Sequence, residues 1–387
     1  MSQVQVKRRK IEQWGGIEVS RLGFGIMRMP IGEDKKMDRA KASAMLHKAI
    51  ASGVNYFDSA YLYHGGESEL FLGEELKRYP RESYYLATKL PTFTVDTEEK
   101  FYSIFNEQLA KLQTDYIDFY LLHGMSGARL PNVKKLGIVE KLVQLKKEGK
   151  IRRMGFSYHG DQASFDELID MGVWDFAQIQ INYLDNQIIV ARGLYDKLVK
   201  ANVPCVCMEP VRGGFLADPP EDVKTMMAGF EGGSVSPAGW GFRWCMDKDN
   251  MAVILSGMST MEQVEENLAT FSEDHKITPA QEEMLASAVK IINDIRAIPC
   301  TGCRYCMECP SGVDIPEIFR IYNHFKLFKN GFRASEEYSA LRRNEHSVDQ
   351  CTRCDACTPL CPQEMSVPDK LVEAKELLEN AMQPRPR

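Results

Sequence analysis

Eight short, mostly apolar runs punctuate the first two thirds of the chain, each bounded by polar or glycine-containing segments. The first is Leu22-Gly23-Phe24-Gly25. The others centre on Val54–Phe57, Tyr85–Thr88, Ile117–Leu122, Arg153–Phe156, Phe176–Ile181, Val203–Met208 and Ala252–Leu255. Runs of this length bounded by turn residues read as buried strands. Between them the period changes. Ala42, Met45, Leu46, Ala49 and Ile50 fall on one face of a helix that Gly53 ends, and Ile138, Leu142 and Leu145 do the same before Gly149. Eight strands alternating with helices over about 270 residues predict an α/β fold, a (β/α)8 TIM barrel rather than an open doubly wound sheet. Ahead of the first strand, Ile11 to Arg21 carries Gly15-Gly16 between short apolar segments and predicts a hairpin.

The pattern changes again near residue 280. Thr278 and Pro279 suit the N-cap and first position of a helix running to Ile298, before Pro299. We place a domain boundary here, with a barrel over residues 1–285 and a second domain over 286–387. In that second part Ile318, Tyr322 and Phe325 keep helical spacing, with Pro316 at a first helical position, and Leu371, Ala374 and Leu378 do so later. Gln383 to Arg387, rich in Pro and Arg, are expected to fray.

Composition narrows the function. The chain has 387 residues and a net charge of −6, with no basic stripe, so nucleic acid is not an expected partner. The N-terminus, although basic, has no apolar core of a secretory signal, and no run is long enough for a membrane span. A cytoplasmic protein is expected. Of 11 cysteines, only Cys205, Cys207 and Cys245 precede residue 300, and these read as buried small hydrophobes. The rest lie between Cys300 and Cys361, a clustering that points to metal rather than to a secreted disulfide scaffold.

The strand ends carry candidate chemistry. The run from Val54 ends at Asp58, with Tyr63 just beyond it in a loop containing His64-Gly65-Gly66; the next two strands end at Lys89 and His123. Active sites of this fold collect at the C-terminal ends of strands. Taken singly, Asp58 and Lys89 could be a structural ion pair and His123 a core imidazole. Together, DSAYLYHGGESE, LATK and YLLH resemble the signature segments of the aldo-keto reductases. The resemblance covers roughly the first 270 to 285 residues, a barrel's length. It implies a catalytic tetrad of Asp58, Tyr63, Lys89 and His123, and an enzyme reducing an aldehyde or ketone with NAD(P)H, or the reverse. A free phenol is a weak acid near neutrality, and a nearby ammonium lowers its pKa. Lys89 would thus make Tyr63 a better proton donor, with Asp58 holding Lys89 and His123 orienting the carbonyl.

No G-x-G-x-x-G follows the first strand, so the nicotinamide site is not of the Rossmann type. The resemblance implies an extended NADP or NAD across the barrel mouth. Ser157 and Gln178 would meet its carboxamide, Gly25 and Met27 the ribose side. Met208, Glu209, Val211 and Gly213 would form the pyrophosphate loop. Ser256, Gly257, Met258, Gln263, Glu266 and Asn267 would hold the adenosine end. Ser259-x-x-Glu262 resembles a capping box opening that helix. Three positions depart from the family pattern: Tyr158 replaces an Asn, Met208 replaces a stacking aromatic, and Gln263 replaces an Arg that would clamp a 2′-phosphate.

The tail contains two near-repeats, Cys300, Cys303, Cys306 and Cys309 before Pro310, then Cys351, Cys354, Cys357 and Cys361 before Pro362. The second fits the bacterial ferredoxin run C-x2-C-x2-C-x3-C-P, and the first has one residue fewer before its last cysteine. Three sulfurs at i, i+3, i+6 on a tight helical turn would take three corners of an iron–sulfur cube. In two-cluster ferredoxins the fourth cysteine ligates the other cluster, giving Cys300, Cys303, Cys306 and Cys361 for one 4Fe-4S cluster and Cys351, Cys354, Cys357 and Cys309 for the other. Two four-cysteine zinc sites are the competing reading. The spacing between the sets is similar to that of α-helical ferredoxins. A small carbonyl or alcohol substrate is the expected partner of the barrel. An alternative is an electron-transfer or redox-sensing subunit that binds nicotinamide and docks to a flavoprotein.

Overall fold

The computed structural model describes residues 4–160, 162–188, 190–295, 297–328 and 331–382. The chain opens on a hairpin of β1 (Arg8–Ile11) and β2 (Ile17–Ser20), paired Ile11 to Ile17 across a turn in which Gly15 and Gly16 have φ of 78° and 76°. All eight expected strands follow: β3 (Leu22–Gly25), β4 (Tyr56–Asp58), β5 (Tyr85–Leu90), β6 (Ile117–Met125), β7 (Ile151–Tyr158), β8 (Phe176–Gln180), β9 (Cys205–Met208) and β10 (Met251–Gly257). They pair in parallel in chain order, and β10 closes on β3 with Ile254 opposite Leu22 and Gly257 opposite Gly25. Strands covered on both faces need no polar alternation, which is why they read as unbroken apolar runs.

The hairpin seals one end of the barrel. Trp14 packs edge-on against Phe119 with ring centroids 4.7 Å apart, donates from Nε1 to Asp175 O at 2.8 Å, and shares a buried cluster with Ile11, Val19, Tyr56, Phe176 and Val253. Phe119 lies near the start of β6 and His123 near its end. The plugged end is therefore opposite the strand ends that carry Asp58, Lys89 and His123. The first barrel helix, Arg39–Ala51, is capped by Asp38, whose carboxylate accepts from Lys41 N at 3.1 Å, and Gly53 follows it with φ of 87°.

The chain forms two compact units: one runs to Pro210 and resumes over Gly241–Ile277, and the other comprises Val211–Trp240 and the chain from Thr278 onward. In the second unit a helix spans Pro279–Ile295, with Thr278 Oγ1 accepting from Gln281 N and Gln281 Oε1 accepting from Thr278 N. Helices Ile315–Phe328, Gly331–Arg343 and Val367–Met382 pack around Ile318, Phe319, Tyr322, Tyr338, Leu371, Ala374 and Leu378. The expected fraying of Gln383–Arg387 lies outside the described residues.

The cysteine loops differ from the expected helical turns. Only Tyr305–Met307 and Thr358–Leu360 are helical, as single 3-10 turns. Gly302, Arg304, Arg353 and Asp355 have positive φ (67°, 64°, 56° and 62°). A regular helix stacks i, i+3 and i+6 up one side. Left-handed residues between the cysteines instead curl each loop back on itself.

Candidate active site and cysteine cavities

Asp58 ends β4, and Lys89 lies one residue from the end of β5, the neighbouring strand. Both side chains are buried, and Lys89 Nζ donates to Asp58 Oδ1 at 2.6 Å. Lys89 Nζ also donates to Ser59 O at 2.7 Å and reaches Tyr63 Oη at 3.4 Å, with its charge 4.9 Å from the Tyr63 ring centroid. The ammonium is thus held on the acid side and directed at the phenol. Burial pushes the Asp58 carboxyl up, and the adjacent Lys89 opposes that rise.

Tyr63 opens a 3-10 turn over Tyr63–Gly66, in which His64 and Gly65 adopt left-handed backbone. Its ring stands at 83° to the His123 ring, with centroids 6.0 Å apart. His123 is buried in β6 where pairing to β7 slips between Leu122 and Met125. A slip of this kind re-aims a strand's side chains. Gly124 N donates to Ser157 Oγ at 2.8 Å, and the Arg129 guanidinium donates to the Gly124 carbonyl, so both sides of the irregularity are held. Burial, followed by the positive charge of Lys89, pushes the His123 imidazole well below its usual range, so it is neutral near pH 7. A neutral imidazole can donate one hydrogen bond without carrying charge. Phe93, 39% exposed, lies 5.9 Å from His123 between ring centroids and presents an apolar surface beside this group.

The expected cofactor residues divide by position. Gly25, Ser157, Met208, Ser256 and Gly257 lie at or one residue from strand C-terminal ends, Gln178 lies in the middle of β8, and Met27, Glu209 and Met258 lie just beyond their strands. A Cβ on Gly25 would stand 3.2 Å from Ser256 O, so the β3 and β10 backbones approach closely there. Gln178 Nε2 lies 3.7 Å from Met208 Sδ, while its buried Oε1 accepts no hydrogen bond among the described residues. A buried amide oxygen left this way is an acceptor aimed at a donor from elsewhere. Glu209 pairs with Arg28 at 3.3 Å, and Asn267 Nδ2 donates to Ser256 Oγ at 2.9 Å. Glu266 is exposed on the helix Met261–Thr270. Val211 and Gly213 belong to the second unit, where Gly213, at φ 65°, packs so closely on the Thr301 backbone that a Cβ would collide with it.

The helix at Met261 is capped by Thr260, not Ser259: Thr260 Oγ1 accepts from Gln263 N at 3.3 Å, and Gln263 Oε1 accepts from Ser259 N at 2.8 Å. Ser259 Oγ is drawn away to Arg28 O at 2.7 Å. Ser is if anything the better capping residue, and its contact to Arg28 O leaves the cap to Thr260. Gln263, expected near a 2′-phosphate, therefore spends its amide oxygen on the cap.

Both cysteine sets surround cavities. Cys300, Cys303, Cys306 and Cys361 line one, with Pro316 and Phe319. Cys309, Cys351, Cys354 and Cys357 line the other, and Cys306 lines it as well. Burial, and then the sulfurs of Cys303, Cys300 and Cys361, push the Cys306 thiol up; burial, and after it the Cys309 and Cys351 sulfurs, push Cys357 up to about 11. Among the described residues no three His, Cys, Asp or Glu side chains converge on one ion position. Cys205, Cys207 and Cys245 are buried in the barrel as expected.

A family model described as the aldo/keto reductase family matches residues 21–290, and one described as a 4Fe-4S dicluster domain matches residues 299–366. L-galactose dehydrogenase of Arabidopsis thaliana is 26% identical over 299 residues, covering 70% of this chain and 89% of its own length. The NADH-specific methylglyoxal reductase of Escherichia coli is 26% identical over 303 residues, covering 66% and 91%. The match to probable aldo-keto reductase 1 of Glycine max is 30% identical over 165 residues but spans only 41% of this chain and 46% of that protein. Among solved structures, the holo form of a Bacillus halodurans aldo-keto reductase superposes with a TM-score of 0.62 at 25% identity, covering 73% of this chain and 96% of its own. No described helix is long and apolar enough to cross a membrane.

Proposed function

This chain belongs to the aldo/keto reductase family, and on that premise we propose that its barrel interconverts a small carbonyl compound and its alcohol with NADP or NAD, using Tyr63 as general acid and base. The observation that carries the reading is Lys89 Nζ placed between Asp58 Oδ1 at 2.6 Å and Tyr63 Oη at 3.4 Å. A bound nicotinamide supplies or accepts the hydride at the carbonyl carbon. The chain's own residues manage the proton and the oxygen. Lys89 stabilises the phenolate that Tyr63 leaves after donating its proton. Asp58 holds Lys89 Nζ in place by accepting its hydrogen bond. His123, neutral, donates a hydrogen bond to the substrate oxygen and orients it toward Tyr63. In the oxidative direction Tyr63 is the base.

The cofactor residues fit this role. Gln178 Oε1, which accepts no hydrogen bond among the described residues, suits a carboxamide N–H donor. NADP is our first assignment on family grounds; the capping role of Gln263 favours weak discrimination against NAD.

In the tail we propose two 4Fe-4S clusters, held by Cys300, Cys303, Cys306 and Cys361 and by Cys309, Cys351, Cys354 and Cys357. Four cysteines around each of two cavities, in ferredoxin-type C-x2-C-x2-C spacing, suit a 4Fe-4S cluster better than mononuclear zinc. We assign the barrel to residues 1–285 and the ferredoxin-type domain to 286–387. A cluster carries single electrons, so we propose that it serves as a staple for its small domain or as a relay to an external carrier such as a flavoprotein, not as a participant in the barrel's chemistry.

The test is anaerobic protein mixed with NADPH or NADH and a panel of aldehydes, following nicotinamide absorbance and, by paramagnetic resonance, the clusters. Aldehyde-dependent nicotinamide oxidation with the clusters unchanged is expected. Stoichiometric cluster reduction by nicotinamide alone, without added flavin, would overturn the separation of roles.

A further inference from the structure

We propose that Glu69 is a positioning residue for the Tyr63–Lys89 pair, acting through a buried relay of hydrogen bonds on the outer face of β5. The inference rests on the reductase reading above. Glu69 has no exposed surface and no ion-pair partner among the described salt bridges. It stands in the first turn of the helix Glu67–Leu76, which begins directly after the Tyr63–Gly66 turn. Its Oε1 accepts from Thr88 Oγ1 at 2.6 Å and from Gln108 Nε2 at 2.7 Å. Gln108, on the helix Glu98–Leu112, also donates to the Lys89 carbonyl at 3.1 Å, and its Oε1 accepts from Tyr120 Oη at 2.7 Å.

The relay therefore reaches the backbone on both sides of the site. Thr88 and Lys89 are consecutive on β5, so their side chains leave opposite faces of the strand. Thr88 points out to Glu69, and Lys89 points to Asp58 and Tyr63. The turn bearing Tyr63 is tied through Glu69 to the strand bearing Lys89, and Gln108 and Tyr120 tie the same point to β6, which bears His123. The distance most exposed to slack is the 3.4 Å between Lys89 Nζ and Tyr63 Oη, already long for a hydrogen bond. An apolar side chain here would leave the buried Thr88 and Gln108 donors without this acceptor. A costly buried group thus stands where the elements bearing Tyr63, Lys89 and His123 meet. Burial pushes its carboxyl up, and the relay requires only acceptance at one oxygen, which a neutral group also supplies.

The test compares Glu69→Ala, Glu69→Gln and Thr88→Val in the full chain with its clusters intact. Turnover is followed with an aldehyde that the unaltered chain reduces, and nicotinamide affinity by fluorescence titration. Tyr63 ionisation is followed by phenolate absorbance against Tyr63→Phe as the blank. Glu69→Ala is expected to lower kcat by about 10- to 100-fold, as expected for a misplaced reacting group, with nicotinamide affinity held. It should also raise the pH at which Tyr63 ionises, because Lys89 is less well placed. Glu69→Gln should restore both, and Thr88→Val, which removes one hydroxyl and keeps the shape, should shift both in the direction of Glu69→Ala. Unchanged kcat and unchanged Tyr63 ionisation in Glu69→Ala, with only a lower Tm, would overturn the proposal. Should Glu69→Ala not fold, Thr88→Val decides by the same two readouts. If no aldehyde is reduced by the unaltered chain, the reductase reading fails, and the Tyr63 titration still decides the positioning role.

Discussion

Lys89 Nζ and Asp58 Oδ1 stand 2.6 Å apart with both side chains buried, on adjacent strands whose register places Asp58 opposite Ala87. Two charges are taken out of water here, and neither has a second charged partner among the described ion pairs. Such a pair is weak evidence for stability, because desolvation offsets most of the attraction. Its presence at the strand ends is better explained by the third atom the ammonium reaches, Tyr63 Oη.

Breaking the pair on one side should cost much more than removing it. Lys89→Met leaves a buried carboxylate and should destabilise by about 3–5 kcal/mol. Adding Asp58→Asn should recover a large part of that loss. Denaturant unfolding of the two single variants and the double variant measures the coupling; additive losses would show that the two side chains do not interact.

Acid sensitivity should carry a signature of His123. Its imidazole is held well below the usual value, chiefly by burial, whereas in the unfolded chain it titrates near 6.5. Below pH 6.5 the unfolded chain binds a proton that the folded chain does not, so this group's contribution is complete above 6.5 and lost as pH falls. The slope approaches about 1.4 kcal/mol per pH unit. Asp58 and Glu69, both raised by burial, oppose the trend at lower pH. The stability of the unaltered chain minus that of His123→Asn should therefore shrink as pH falls from 7 to 5. A constant difference would place the imidazole at its ordinary value.

Coenzyme discrimination should be modest and improvable. With Gln263 Oε1 committed to Ser259 N, no cation stands at this position for a 2′-phosphate. Gln263→Arg should strengthen NADPH binding relative to NADH by about 1.5–3 kcal/mol, a charged hydrogen bond's worth. Equal effects on both coenzymes in a binding titration would remove residue 263 from the contact.

Cluster loading should follow the crossed pairing. The intact chain, purified anaerobically, should hold about eight iron and eight sulfide. Cys361→Ala should lose the same spectroscopic cluster as Cys300→Ala, and Cys309→Ala the same one as Cys351→Ala. Loss of Cys361 together with the Cys351 cluster would mean that each repeat holds its own.

Much of this was legible because the relevant signals are local. Eight apolar runs gave eight strands, and Asp58, Lys89 and His123 lie at or near the strand ends where their runs stopped. The Ser259 expectation failed because a neighbouring hydroxyl residue, Thr260, can also cap, and the deciding contact, Arg28 O, is distant in sequence. The cysteine loops departed from a helical turn because positive φ at Arg304, Arg353 and Asp355 has no strong local signature. Glu69 was invisible for a similar reason: its partners, Thr88 and Gln108, are 19 and 39 residues away.

The central claim is that Tyr63 delivers the proton, and a single turnover tests it most directly. The intact chain and Tyr63→Phe are each loaded with reduced nicotinamide deuterated at the transferred position and mixed anaerobically with an aldehyde. Deuterium in the alcohol is then followed against time. The expected result is rapid transfer in the intact chain and a loss of about 10²-fold or more in Tyr63→Phe, with nicotinamide affinity unchanged. Equal rates of deuterium transfer in the two proteins would contradict it.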